Sequence, residues 1–413
     1  MKQYVLKQPY NLYITLKDVY SVIIALLPVI MIYNVPIVNK GLSTILLGVL
    51  LPYALYCIIK PPLAKLWILI PFIIFMIYII FRSRGDLTNI FLMSVVCIHA
   101  LGAANNSINI SLLRKTIEIA AIIASALVII QTILYYLFGA EVEFIIKPLV
   151  LQDMQYYFYK ESGTLYRPCA FFMEPSHFVQ FSAVALISTL FPENQGAKIK
   201  LIKAAFIALG SMLTTSGMGI MMCLGILLWY FLNCALNNLR KNFAIGMTVL
   251  LGGIIFLAVV FIFLMQFDFF NLAIQRIFGE VDGYNAIWGR TLFWDSTIGQ
   301  MPSADRIMGY GSVSLPDNYM TGLMELIYCY GYIGCVLLVL AFMALFFSAH
   351  KKWYPKILCL IYLGLLLIAN LFSFIILSFW FSNIIASVYD KDTDITMKKE
   401  HKIKKVKKWK LIR

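Results

Sequence analysis

Charge is what this sequence has least of. Asp, Glu, Lys and Arg make up 13% of its 413 residues, against about a quarter in an ordinary soluble domain. That shortage excludes a soluble enzyme and a disordered chain. The eight cysteines (Cys57, Cys97, Cys169, Cys223, Cys234, Cys329, Cys335 and Cys359) include no CxxC pair. Neither a disulfide framework nor a zinc site is therefore expected. Internal repeats and low-complexity segments are missing. The first apolar run, about 19–33, leads straight into further runs with no A-x-A-like cleavage site, so no cleavable signal is expected.

Apolar residues supply the rest: 61% of the chain, about 250 residues, with a mean hydropathy of +0.84. A helical span takes about 20 mostly apolar residues, which leaves room for about a dozen. The strands of a β-barrel would alternate apolar and polar, and these runs do not. They fall at 18–33, 43–59, 64–81, 87–105, 117–138, 176–192, 201–215, 217–236, 243–265, 318–347, 355–370 and 372–388. The expected fold is an all-α polytopic integral membrane protein of about 12 transmembrane helices, one helical membrane domain over 1–413. The 318–347 run is too long for one upright helix, and Gly331 and Gly334 are its breaking points.

The formal net charge of +14 resolves into topology. With the amino terminus in the cytoplasm, 25 of the 34 basic residues fall on inner segments, ten of them in the basic cytoplasmic tail 389–413. The nine on outer segments are Lys40, Arg82, Arg84, Lys147, Lys160, Arg167, Arg276, Arg290 and Arg306. Such a bias places both termini in the cytoplasm. It also leaves two large extracytoplasmic loops, 139–175 and 266–317, where binding or catalysis is expected. Six of nine arginines lie outside but only three of 25 lysines. Arg presents a planar fork suited to phosphate, where Lys is a point charge; the alternative is that these arginines pair with local carboxylates. In the tail, Ile403, Val406 and Trp409 recur every third residue among lysines. That pattern reads either as a basic helix on anionic lipid or as solvated charge. No base-reading module accompanies it, so no nucleic acid is expected.

The first loop ends Tyr166-Arg167-Pro168-Cys169-Ala170-Phe171-Phe172-Met173-Glu174-Pro175-Ser176-His177-Phe178. Pro175 suits the first turn of a helix with Glu174 at its cap, so the helix enters from the outer face with its positive dipole end exposed to an anion. Arg167, Glu174 and His177 gather there, although Glu174 also reads as a plain cap and His177 as an interfacial residue. The second loop carries Gly289-Arg290-Thr291-Leu292-Phe293-Trp294-Asp295, then Arg306-Ile307-Met308-Gly309-Tyr310-Gly311, and ends at Asp317-Asn318. Arg290 and Trp294 are four apart and share one face of a helix. Gly309 and Gly311 permit a tight turn near a ligand, and Asp317 or Asn318 is expected to cap the tenth span.

RPCAFFMEPSHF, the LTTSGMG turn (213–219), GRTLFWDS, RIMGYG and DNYMTGLMELIYCYGYIG resemble, in order and sidedness, the O-antigen and capsular polysaccharide polymerases of the Wzy type. These are relatives of the O-antigen ligases. The likeness covers 167–334, about 40% of the chain, and each motif in it is short. It implies a GT-C-type polymerase/ligase fold in the bacterial inner membrane. It also implies transfer of glycans carried on undecaprenyl pyrophosphate, as donor and acceptor, by a metal-independent glycosyltransferase that needs no cofactor. A chain-length-regulating co-polymerase is implied as a partner, besides membrane lipid. The ligases' essential arginines map by motif onto Arg167 and Arg290, and Asp317 stands before Asn318 where the ligases carry a histidine.

The departing diphosphate gains negative charge, which arginines and helix N-termini would stabilise as it grows. A general base must reach the attacking hydroxyl, and Glu174, His177 and Asp317 are available, with the first two ranked above the third. The catalytic set is thus Arg167, Glu174, His177 and Arg290. The substrate-binding set is Arg276, Trp294, Arg306, Tyr310, Asp317 and Asn318. An O-antigen ligase and a flippase or transporter for the same lipid-linked sugars are the alternatives; a transporter would show internal repeats and mid-membrane charge, and here only His99, Glu118 and Glu325 qualify.

The orientation is testable by single cysteines placed near Ser43, Arg82 and Lys351 in a cysteine-free background. A membrane-impermeant maleimide should label the first two from outside, and the third only after permeabilisation.

Overall fold

A computed structural model of the protein describes residues 14–35, 40–60, 66–83, 85–146, 149, 166–191, 200–239, 242–278, 294–312, 320–350, 352–371 and 373–390. Fourteen α-helices are described: α1 Leu16–Ile30, α2 Leu42–Ile59, α3 Ile70–Arg82, α4 Leu87–Ala104, α5 Ile110–Phe138, α6 Pro175–Leu190, α7 Leu201–Leu213, α8 Gly217–Leu239, α9 Phe243–Leu264, α10 Asp268–Phe278, α11 Ser303–Met308, α12 Gly322–Ser348, α13 Trp353–Ile368 and α14 Phe374–Tyr389. Two-residue strands, Asn34–Val35 and Lys40–Gly41, pair antiparallel between α1 and α2. Every expected apolar run coincides with a helix.

Six of the helices (α2, α4, α5, α8, α9 and α12) are long and apolar enough to cross a bilayer, so the chain is an all-α, multi-pass membrane protein. The other runs form shorter helices. α7, for example, has 13 residues and is about 20 Å long at 1.5 Å per residue, short of a hydrocarbon core of about 30 Å.

Polar contacts join the helices at one end of the bundle. Arg114, near the start of α5, is buried; its guanidinium donates to Ser188 Oγ and to the carbonyls of Ser188 and Phe191 at the end of α6, and lies 3.9 Å over the Tyr354 ring of α13. Glu118, one turn further along α5, accepts from Ser188 Oγ at 2.7 Å and pairs with Lys200 at 2.6 Å, just ahead of α7. Tyr354 donates to Asn383 of α14, and Lys352 Nζ donates to the carbonyls of Ser387 and Asp390. Asn109, capping α5, is bonded to Asp18 and Ser21 of α1. The start of α1 and the end of α14 therefore lie at the same end of the bundle. Glu118 belongs to this network, and His99 bridges Tyr20 and the Leu47 carbonyl in the core. Away from this end, aromatic rings bind α12, α13 and α14: Phe342 stacks on Tyr362 at 5.0 Å, and Tyr362 meets Trp380 at 5.6 Å.

At the opposite end α12 is broken where the sequence suggested. Gly331 has φ 65° and ψ −175°, a region open in practice to glycine alone. The break frees carbonyls of the preceding turn, and the chain that follows α11 claims them. Tyr310 N–H donates to the Tyr328 carbonyl and Gly311 N–H to that of Cys329. Tyr78 of α3 caps the junction, donating to the carbonyls of Met308 and Tyr330. A Cβ at Gly331 would run into the Ile307 backbone, and one at Gly309 into that of Cys329. The first half of α12 is capped by Thr321, whose Oγ1 accepts from Met324 N–H. This corrects the expected cap at Asp317 or Asn318: the helix begins at Gly322, four residues beyond Asn318, and both lie outside the described residues.

Gly331→Ala should destabilise the protein by about 1–3 kcal/mol, the usual cost of a forced backbone. Gly364→Ala, on α13 with open space around it, should be neutral or slightly stabilising. Thermal unfolding in detergent would compare the two.

Candidate functional site

Backbone that is neither helix nor strand comes together above the end of α7. Residues 166–174 dip into the bundle, where Tyr166 is 3% exposed, Cys169 2% and Ala170 0%. The turn between α7 and α8, Thr214 to Ser216, is buried beneath them. Thr215 Oγ1 donates to the Tyr166 carbonyl at 3.2 Å and also to the carbonyl of Thr214. Irregular backbone at depth in a membrane protein persists only where protein or a polar cavity satisfies it. Two residues here carry strain: Thr215 has φ 52° and Ala170 φ 54°, and such angles are outliers for a β-branched side chain. Gln131, wholly buried in α5, holds both limbs of the loop. Its Nε2 donates to the Val142 carbonyl and its Oε1 accepts from Ala170 N–H, each at 2.8 Å. Tyr166 stacks on Tyr135 of α5 with centroids 4.2 Å apart.

Arg167, Glu174 and His177 are brought to this place. Glu174 occupies the N-cap position of α6, but its side chain makes no capping bond. Its Oε1 instead accepts from Ser176 Oγ and lies 3.3 Å from His177 Nε2. Reading Glu174 as a plain cap therefore does not describe its carboxylate. The carboxylate is 38% exposed and the imidazole behind it 12%. Electrostatics around Cys169 map the neighbourhood. Burial and then the carboxylate of Glu174 push its thiol up to about 12, the Arg167 guanidinium pulls the other way, and Glu143 adds to the rise. Burial likewise drives the Tyr166 hydroxyl far above its ordinary range, helped by Cys169 and Glu141. A guanidinium and a carboxylate thus both act on one thiol, and the carboxylate lies beside the imidazole at the N-terminus of a 16-residue helix. Such an arrangement can hold an anion and move a proton.

The second loop's residues form a separate group. Trp294 opens a π-type turn, Trp294–Gly299, and packs against a small cluster of Ile298, Met301 and Ile327. Arg306 folds back on its own segment, donating to the carbonyls of Met301 and Gly299. The Tyr310 ring meets Tyr328 at 5.1 Å, and Arg82 donates to the Gly309 carbonyl. Gly309 and Gly311 are thus used to dock this segment onto broken α12. Arg276 lies on α10. Arg290, Asp317 and Asn318 fall outside the described residues. Among the described residues no group of three or more His, Cys, Asp or Glu side chains could hold a metal ion.

Sequence reasoning passed over Gln131 and Gln180, buried on α5 and α6. A lone amide in a 22-residue apolar run was the available signal for Gln131, since polar groups inside a span are costly without a partner. No protein-family model matches the chain, and no curated protein matches it.

With its thiol raised to about 12, Cys169 is almost wholly protonated at neutral pH, and only the thiolate reacts. Maleimide should leave it unmodified at pH 7.5 in folded protein and modify it after denaturation, as read by peptide mass spectrometry. Removing Gln131's two bonds (Gln131→Leu) should cost about 1–3 kcal/mol of stability, since it leaves the buried Ala170 N–H and the half-buried Val142 carbonyl unpaired; the fall in unfolding temperature measures it.

Proposed function

We propose that the chain polymerises oligosaccharide repeat units carried on undecaprenyl pyrophosphate. It would do so at the outer face of a bacterial inner membrane, as a protein of about twelve spans with both termini cytoplasmic. One observation supports the reading: within the motif resembling polysaccharide polymerases, Arg167 and Glu174 both act on the buried Cys169 thiol, and Glu174 lies 3.3 Å from His177. The lipid-linked substrate suits that placement, because its pyrophosphate sits at the membrane surface while its tail stays in lipid.

In the reaction, a hydroxyl of the acceptor sugar attacks the anomeric carbon of the donor glycan. The new C–O bond forms as the bond to the pyrophosphate oxygen breaks, and the diphosphate leaves with the electron pair. The acceptor's proton passes to a base at the mouth of α6, where Glu174 is the more exposed of the pair. In this proposal Arg167 pairs with the departing diphosphate bidentately, and the N–H groups of the α6 N-terminus reinforce it. Charge that grows in the transition state gains most from donors fixed in advance. Arg290, Asp317 and Asn318 belong to the proposal through the motif alone. So does a chain-length-regulating co-polymerase as partner.

Purified protein in liposomes, given lipid-pyrophosphate-linked repeat units, should yield a ladder of lengths on a gel. A single transfer to a lipid A core acceptor would instead identify a ligase, and translocation of labelled lipid without transfer a flippase. Arg167→Lys keeps the charge and loses the fork, so polymer should fall by about 100-fold or more, as when one transition-state donor is removed, at normal protein level. Wild-type polymer from that variant would overturn the arginine's role.

A further inference from the structure

Glu174 and His177 form a pair whose roles the structure separates. His177 Nε2 faces Glu174 Oε1 at 3.3 Å, while Nδ1, on the other side of the ring, is buried without a protein partner. The ring also lines a small cavity of about 10 Å³ bounded by Pro28 and Met31 of α1, Gln180 and Phe181 of α6, and the start of α14. That is close to the least volume that accepts one water, given two or more polar partners. Gln180 is the other polar side chain on its wall. It is 5% exposed and has no hydrogen bond among the described residues. Two residues a turn apart on α6, one of them with an unpartnered ring nitrogen, thus line a space of one water's size among apolar side chains.

We propose that this cavity holds one water molecule, which accepts from the Gln180 amide and donates to His177 Nδ1. The water thereby fixes the imidazole as the neutral Nε2–H tautomer that donates to Glu174. His177 and Gln180 are then positioning residues, and Glu174 is the group that takes the acceptor's proton. The geometry favours that division. With Nε2 carrying hydrogen, the imidazole has no lone pair on the side that faces Glu174. The Glu174 carboxylate is the more exposed partner, and Ser176 donates to the same oxygen that His177 Nε2 faces. The assignment of roles rests on the polymerase reading; the water and the tautomer do not.

The test is solid-state NMR of protein in bilayers, uniformly labelled at histidine nitrogen. The four histidines are resolved by assigning His177 through its loss in His177→Asn. The expected result is a bare Nδ1, a protonated Nε2 and a cross-peak from Nδ1 to a slowly exchanging water. An Nδ1–H tautomer, or no water contact in the wild-type protein, would overturn the proposal without recourse to any variant. Gln180→Leu should abolish the water cross-peak. In the polymerisation assay it should lower kcat on the order of tenfold to a hundredfold, the scale of a small misplacement of a catalytic group, with KM unchanged. An unchanged kcat would remove Gln180's positioning role. The predicted tautomer in a protein that makes no polymer would leave the water site standing and overturn the polymerase reading alone.

Discussion

Inside a bilayer every backbone N–H and C=O must find its partner within the protein, because lipid offers none and each unpaired group costs several kcal/mol. Unbroken helices meet that demand without help. Among the described residues the chain departs from them at two buried places, and its distinctive features are arranged around those departures. At Gly331 the break in α12 releases carbonyls that the segment after α11 takes up through Tyr310 and Gly311 N–H. Above α7, a helix too short to cross, the loop 166–174 and the turn at Thr214–Ser216 satisfy one another, with Gln131 bonding both limbs of the loop.

The two departures lie at the same end of the bundle and differ in character. Around Gly331 side chains are spent on backbone carbonyls. Tyr78, Arg82 and Arg306 all donate to backbone carbonyls, which makes that region a fitted joint. Around α6 a carboxylate, an imidazole and a guanidinium are gathered beside strained residues, and Glu174 forgoes the capping bond its position would allow. A carboxylate and an imidazole so placed are what proton transfer at a site requires. The opposite end, by contrast, holds a buried network from Arg114 to Lys352 that ties five helices together, with its donors directed at carbonyls, hydroxyls and a carboxylate.

Much of the architecture was legible because hydropathy is local. Each of the twelve apolar runs is a helix, and the overlong tenth run breaks at Gly331, one of the two glycines that periodicity singled out. Legibility failed where a residue's role depends on a partner distant in sequence. Asp317 and Asn318 looked like caps because their type suits one, yet Thr321 performs that role. Gly309 and Gly311 suggested a ligand turn, and they serve instead to let two backbones approach. Gln131 had no visible reason to be polar until Val142 and Ala170 were seen on either side of it.

The amino-acid sequence by itself determined an all-α, multi-pass membrane protein. It also put Glu174 and His177 at one helix start, three residues apart and so on one face, with Arg167 seven residues before Glu174. Only the tertiary structure decided how they are used. It turned the carboxylate of Glu174 from the helix cap toward Ser176 and His177, and it buried Tyr166 against Tyr135 and Thr215. It also set His177 and Gln180 against a cavity completed by α1 and α14. Composition and periodicity report what each stretch of chain prefers in lipid. Which polar group meets which is settled by contacts across the bundle, because in a low-dielectric interior an unmet polar group costs more than any local preference can offset.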